Sequence, residues 1–228
     1  MRIGTGIVLL LLIAMPALAQ DKKKKSGINA AFQNPNVKEF RDRFERDGRE
    51  VYDHRDRIIA ECGLKPGNAI ADVGAGTGFM SLMFAKAVGP SGKVLAVDVA
   101  DNFLKHIDLT AKSRGIQNIQ TIKATQETSN LPSDSVDIVF ICDTYHHFEF
   151  PQKTLKTIYQ AMHSGGSLLL IDFERIPGVT REWTLQHVRA GKEVFREEIE
   201  QAGFVFVEEK QGIMKENYFL RFEKPKGT

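Results

Sequence analysis

This chain is short of cysteine and of net charge, and each shortage excludes something. Its 228 residues include two cysteines and one tryptophan, and the formal charge at pH 7 is +2. Two cysteines cannot build the disulfide framework of a small secreted scaffold or a four-thiolate metal site. Cys62 is expected just before the first strand and Cys142 at the end of the fourth, on opposite edges of a parallel sheet. Those edges lie about 15 Å apart, beyond disulfide reach, so two free thiols are expected. Nor does the charge balance argue for a nucleic-acid partner. Four of the positive charges form the run Lys22–Lys25, read as a solvated tether, and the remainder is slightly acidic. The apolar run Ile7–Ala14 is well short of the ~20 residues of a bilayer span, so no stable membrane span is expected. A phosphate-cradling G-x-x-x-x-G-K-[ST] loop is absent, as is any internal repeat. None of the four tyrosines has a lysine four residues on, which removes the catalytic pair of short-chain dehydrogenases.

What is present begins with a leader. Arg2 supplies a positive start, Ile7–Ala14 an apolar centre, Pro16 a helix break, and Ala17-Leu18-Ala19 a small-x-small cleavage site before Gln20. Residues 1–19 therefore read as a signal peptide, and the mature chain is expected in a bacterial periplasm. Four lysines just beyond the site run against the usual charge bias, so an uncleaved anchor is the alternative. Arg2 stands alone, so a twin-arginine route is not signalled and export before folding is expected. Residues 20–35 are polar and lysine-rich and read as a linker, which leaves 36–228 as one domain, a length suited to a single core.

Two helical patterns open that domain, a stripe Val37-Phe40-Phe44 and a second over Val51–Cys62. Short runs rich in Val and Ile follow at Ala69–Val73, Val94–Val97, Ile119–Ile122, Val136–Ile141 and Ser167–Ile171, separated by helical or loop segments. That alternation is the signature of a parallel sheet covered on both faces. A long helix is expected over about Arg181–Ala202, and "FVFVEEK" and "NYFLRFEK" read as two closing strands.

The most informative stretch is "AIADVGAGTGFM", Ala69–Met80. A strand ends, the glycines Gly74, Gly76 and Gly78 follow, and an apolar helix starts at once. Glycine is needed where backbone turns tightly and a ligand must approach without meeting a Cβ. The next strand, "KVLAVD", ends in Asp98, twenty residues beyond Gly78, where an acid can accept both hydroxyls of a ribose. The spacing G-x-G-x-G departs from the dinucleotide pattern G-x-G-x-x-G, which disfavours a nucleotide-dependent oxidoreductase.

Taken in order, "IADVGAGTGF", "GKVLAVDVADNFL", "LPSDSVDIVFICDTYHHF" and "LKTIYQAMHSGGSLLLIDFE" resemble the successive motifs of class I S-adenosylmethionine-dependent methyltransferases. The likeness covers about Leu64–Phe173 and is nearest to the small-molecule branch that includes the ubiquinone/menaquinone and arsenite-type enzymes. It implies S-adenosylmethionine as cofactor, with Asp72 and the loop Gly74-Ala75-Gly76-Thr77-Gly78 at the methionine end, Asp98 on the ribose and Val99 against adenine. Many relatives carry Gly-Asp-Ala after the third strand; this chain has "KATQET", so Thr125, Gln126 or Glu127 must meet the adenine amine. The Asn/Asp-Pro-Pro-aromatic motif of nucleic-acid amino methyltransferases is missing, in keeping with a small-molecule substrate.

Acceptor chemistry is expected at the carboxyl ends of the strands. "CDTYHHFEF", Cys142–Phe150, stands there, with Cys142 beside the cofactor and Asp143, Tyr145, His146 and His147 as catalytic candidates. Equally, one histidine could cap a helix and the other fill the core. No metal is expected: adjacent His146 and His147 point their side chains apart on regular backbone, and no cysteine or carboxylate pair has ligand spacing nearby. His187 and Arg189 at the rim, and Tyr52, His54 and Arg55 as a lid, are lesser candidates. The expected fold is α/β, a doubly wound, mostly parallel, seven-stranded Rossmann-like sheet with helices on both faces and the last strand antiparallel. The expected function is methyl transfer to a small molecule or envelope component, a nucleoside-binding module without catalysis being the alternative. Oligomeric state is not legible.

Overall fold

A computed structural model describes residues 27–227. The expected signal peptide and its cleavage site lie outside the described residues, as does the first part of the expected linker.

The chain enters through a single 3-10 turn, Ala30–Phe32, and three short helices: α1 (Val37–Phe44), α2 (Glu50–Asp53) and α3 (Arg55–Glu61). Asn36 starts α1 by accepting hydrogen bonds from the Lys38 and Glu39 amides at 3.1 and 3.4 Å, two of the donors a helix start leaves unpaired. Strands and helices then alternate: β1 (Ala69–Val73), α4 (Phe79–Val88), β2 (Lys93–Asp98), α5 (Asp101–Ser113), β3 (Ile119–Lys123), β4 (Val136–Cys142), α6 (Pro151–Ala161) and β5 (Met162–Phe173). Helices α7 (Glu182–His187) and α8 (Lys192–Gln201) precede the closing strands β6 (Val205–Glu209) and β7 (Asn217–Glu223). The sheet has seven strands in the order β3-β2-β1-β4-β5-β7-β6, and β7 runs antiparallel between β5 and β6. This is the expected fold.

The central strands are apolar on both faces because helices cover both. Ala71, Val139, Ile141, Leu168 and Leu170 face α6 and α8, where Leu155, Ile158, Phe195 and Ile199 are buried. Their neighbours Ile70, Ile138, Phe140, Leu169 and Ile171 face Phe84 and Val88 of α4 and Ile58 of α3. Period-two alternation therefore fills two cores instead of one core and one wet face.

Three expectations need correction. The long helix over Arg181–Ala202 is two helices, because Val188 is extended (φ −78°, ψ 122°) and buried. Arg175 takes the released carbonyls of Leu185 and Val188, each at 3.0 Å, which stabilises the break. The second N-terminal helix is likewise split at His54 (φ −101°, ψ 12°). Lastly, the latter part of the expected linker is docked: Phe32 packs on Phe40 at 5.3 Å between ring centroids. Its polarity concealed one aromatic anchor. Both cysteines are free, as the edge argument requires.

Gly78 marks where the fold allows no side chain. Its φ is +78°, and a Cβ would stand 2.5 Å from Ile107 Cγ1, a core atom of α5. Gly212 has a similar φ of +68° but nothing within 4 Å. Gly78→Ala should cost about 2–4 kcal/mol, strain plus overpacking, and Gly212→Ala only about 1 kcal/mol. Urea unfolding of both variants checks this, and equal losses would refute the packing account.

Candidate active site

Strand order reverses between β1 and β4, and a crevice opens there at the carboxyl ends of the strands, as it does in open α/β sheets. A cavity of about 410 Å³ occupies it, within the usual range for small-molecule sites. Its floor is the loop after β1. The Gly74 and Ala75 amides donate to the Val97 carbonyl at 2.8 and 3.0 Å, which folds the loop back over β2. Gly74 has φ +80°, and a Cβ there would collide with the Thr144 side chain. Gly76 differs: a Cβ would make only ordinary contacts, with Phe44 at 3.8 Å and the Gly74 carbonyl at 3.9 Å, and its bare backbone lines the cavity.

Two carboxylates flank that loop. Asp98, at the end of β2, accepts the Gly76 amide on Oδ2 and the Ala100 amide on Oδ1, both at 2.8 Å. A carboxylate has about four lone-pair sites, so the same group can still accept ribose hydroxyls. Burial raises its pKa, and the two amide hydrogen bonds oppose the rise. Asp72 accepts Ser81 Oγ at 2.5 Å. Burial, with Asp98 nearby, pushes its pKa up to about 7 although the Ser81 hydrogen bond opposes the rise. A buried acid that is half protonated near neutrality, facing a cavity, suits a cationic ligand.

The lid is built by residues that polarity and periodicity did not single out. Arg49 stacks over Phe44 at 4.9 Å and donates to the Phe44 carbonyl at 3.0 Å and to Asp143 Oδ2 at 2.8 Å. Asn29 donates to the His147 carbonyl (3.1 Å) and to Glu149 Oε1 (2.9 Å), and Phe32 lies edge-on to His147 at 4.8 Å. The signal available was a lone aromatic, Phe32, in an otherwise polar segment; Arg49 stands among other charges and Asn29 in that same polar segment, and neither carried a signal of its own. Of the lesser lid candidates, Tyr52 packs on the wall residue Phe79 and Arg55 on Tyr52, and neither of the two is in the wall itself.

The cavity wall contains Asp72, Gly74, Ala75, Gly76, Thr77, Asp98, Val99, Gln126, Cys142, Asp143 and His147 of the residues expected at the site. It also contains Thr125, so Thr125 and Gln126, two of the three candidates in "KATQET", remain open for the adenine end. Gly78 is not in the wall, because it is spent on the approach to Ile107. Glu127 is not there either; it is half exposed and paired with Lys153 at 2.9 Å. Two catalytic candidates also require correction. Tyr145 is fully buried, donates to Glu198 Oε2 at 2.9 Å and has a pKa raised well above the ordinary value, chiefly by burial. His146 is buried behind the wall, with Nδ1 at 2.8 Å from Asp172 Oδ1. At the rim, Arg189 is held by both oxygens of Glu198 at 2.7 and 2.5 Å and supports packing instead of a substrate.

The expectation that His146 and His147 diverge also fails. Residues Tyr145–His147 form a 3-10 turn, and the two rings lie 4.2 Å apart between centroids. The turn begins at Asp143, whose φ of +47° is rare for a residue with a side chain.

This strand order, a glycine loop opening onto the crevice and an acid at the end of β2 define a class I S-adenosylmethionine-dependent methyltransferase. The profile of the ubiE/COQ5 methyltransferase family matches residues 51–189, and the chain belongs to that family. A ubiquinone/menaquinone biosynthesis C-methyltransferase from Ectopseudomonas mendocina is 31% identical over 121 residues, 53% of this chain and 47% of the relative. The chain thus matches about half the length of that relative. Among solved structures, a SAM-dependent methyltransferase from Aquifex aeolicus superposes with a TM-score of 0.73 at 23% identity, covering 84% of this chain and all of that one. A possible exported protein from Bordetella parapertussis superposes with a TM-score of 0.65 at 14% identity, over 85% and 81% of the two chains.

The residues fit S-adenosylmethionine: a bare glycine backbone, a ribose-competent acid and a buried acid awaiting a cation. Asp98→Ala should weaken cofactor binding by about 2–3 kcal/mol, the range for hydrogen bonds to a charged group, in a chain that still folds. Wild-type affinity in that variant, read by calorimetry, would assign the loop to another ligand. Asp72 gives a pH signature. Without a cation the folded state holds this proton from its ordinary value of 3.8 up to about 7, so stability falls as pH rises across that window. A cationic ligand favours the ionised form, so S-adenosylmethionine should bind more weakly as pH falls below about 7 and should release a proton on binding. Calorimetry in buffers of different ionisation enthalpy reads the proton, and Asp72→Asn should abolish its release.

Proposed function

We propose that this chain transfers the methyl group of S-adenosylmethionine to a small, largely apolar acceptor, and that it works outside the cytoplasmic membrane. One observation carries the first half. The glycine backbone, Asp98 and Asp72 share a cavity with an aromatic and histidine wall formed by Phe32, His147 and Phe148. One side of the cavity suits the nucleoside and its charged tail, and the other an acceptor.

When bound, the cofactor supplies a methyl group on a sulfonium, which an acceptor displaces in line. The chain's own part is alignment and exclusion of water. Arg49 and Asp143 hold the N-terminal segment over the crevice, and Phe32 and Asn29 fasten it to the turn after β4. A cover of this kind favours a small molecule over a polymer chain. Of the original catalytic candidates, His147 is the imidazole in the wall. Asn29 Nδ2 donates to two oxygens, so its Oδ1 accepts and His147 Nδ1 carries the proton, at 2.8 Å. The imidazole held in this way is the group in the wall suited to orient an acceptor. The relative from E. mendocina is named a C-methyltransferase, so carbon nucleophiles are the acceptors to try first.

Support for export comes from the leader pattern at residues 1–19. The solved fold neighbour described as a possible exported protein is consistent with this fold working outside the cytoplasm.

Calorimetry on the full chain with S-adenosylmethionine, S-adenosylhomocysteine and NAD tests the first half. Binding of both sulfur nucleosides without NAD is expected, and binding of NAD alone would overturn the reading. N-terminal sequencing of protein from fractionated cells tests the second. A chain beginning at Gln20 outside the membrane is expected, and intact Met1 in the cytosol would overturn it.

A further inference from the structure

Behind the cavity wall stands a cluster that methyl transfer does not require. His146 and His147 on the 3-10 turn and His187 at the end of α7 each bring a ring nitrogen to within 4.8 Å of the other two. Ring centroids are 4.2 Å apart for the adjacent pair and 5.1 Å from each of them to His187. Residues 40 positions apart in the chain meet here because the helix expected to run on from Arg181 stops at His187.

Nitrogen chemistry distinguishes this cluster from ordinary aromatic packing. His146 Nδ1 faces the buried Asp172 carboxylate at 2.8 Å, so in the neutral ring the proton sits on Nδ1. Its Nε2 is then an acceptor, and it is buried with no hydrogen-bond partner. A lone pair enclosed without a partner costs free energy unless something occupies it. His147 has a comparable support on its other nitrogen, with Nδ1 at 2.8 Å from Asn29 Oδ1. A carboxylate or amide oxygen behind each imidazole is the support that fixes metal-ligating histidines in the correct tautomer.

We propose that His146, His147 and His187 bind a divalent transition-metal ion, zinc being the reference case, through their imidazole nitrogens. Three neutral imidazoles suit zinc, copper, iron or nickel, and exclude magnesium and calcium, which take oxygen. Ligand nitrogens on tetrahedral zinc stand about 3.3 Å apart, since each bond is about 2.0–2.1 Å. The observed separations, up to 4.8 Å, would have to close to that value on binding. Three protein ligands also leave one coordination position for another group. His147 belongs to the cavity wall as well, so an ion held here is adjacent to the cavity. With an ion bound, His147 would serve as a ligand, and the open coordination position would be the place for an acceptor to be polarised.

The single tryptophan supplies a reporter. Trp183 stacks on His187 with centroids 4.5 Å apart and planes inclined by 17°. Full-chain protein, stripped with chelator, should be titrated with Zn²⁺ and with Co²⁺ while tryptophan fluorescence and visible Co²⁺ absorption are followed. One ion per chain is expected, with quenching by Co²⁺ that saturates at one equivalent. His187 is only partly buried, so His187→Ala should fold, with thermal unfolding as the check, yet bind the ion on the order of 100-fold more weakly. Asn29→Ala, which removes the oxygen behind His147, should weaken it about 10-fold. Failure of the wild type to retain stoichiometric metal, or equal retention by wild type and His187→Ala, overturns the proposal. S-adenosylmethionine binding is measured on the same samples, so loss of the metal site and loss of the methyltransferase reading are told apart.

Discussion

The site hangs on one carboxylate. Asp143 follows the last residue of β4 in a left-handed conformation, φ +47°, uncommon for a residue with a side chain though aspartate tolerates it better than most. Its amide donates to the Ile171 carbonyl on β5 at 2.9 Å. Its two side-chain oxygens take Arg49 from the N-terminal lid at 2.8 Å and Asn217 from the start of β7 at 2.7 Å. One residue thus joins the central strand, its neighbour, the antiparallel insertion and the cover over the cavity. Burial raises its pKa while Arg49 opposes the rise. Breaking such a pair leaves a buried charge without a partner, a heavier cost than the pair's own net worth. The kink it makes also aims Thr144 at Gly74 and starts the turn that brings the histidines together.

What the sequence showed and what it hid divide along physical lines. Period-two apolar runs are set by burial of local residues, so all seven strands were legible, and Gly74, Gly76 and Asp98 were legible because the chemistry of the loop is local. Side-chain direction after a strand is not local. The left-handed Asp143 reverses which of its successors face the cavity, so Tyr145 and His146 go inward and His147 goes to the wall. The break at Val188 was hidden for a similar reason: residues 181–202 have acceptable helix formers throughout, and the helix is ended by Arg175, which is distant in sequence and captures its carbonyls. The lid was missed because its anchors, Phe32 and Arg49, sit in segments whose average character is polar. A single aromatic carries little weight in a window and a great deal in a crevice.

Four acids stand at the carboxyl end of the sheet, on or just after β1, β2, β4 and β5, and the way each is satisfied separates structure from function. Asp98 is held by two backbone amides. Asp143 has a guanidinium and an amide. Asp172 receives the His146 and Phe173 amides and the His146 ring. Asp143 and Asp172 are completed by the protein itself, and Asp98 is anchored by it while keeping acceptor sites for a ribose. Asp72 alone among them is given only Ser81, with Asp98 adding repulsion, and is driven toward its neutral form. A fold under pressure for stability alone would place an apolar residue there, since the neighbouring positions of β1 are Ala71 and Val73 and both are buried. An incompletely neutralised carboxyl next to a bare glycine loop makes sense where the missing charge arrives with the ligand. S-adenosylmethionine carries positive charge at both its sulfonium and its amino group, and S-adenosylhomocysteine has lost the first of these. A buried acid that gains from a nearby positive charge would therefore favour the donor over the spent product, which ties the electrostatics of one strand end to product release.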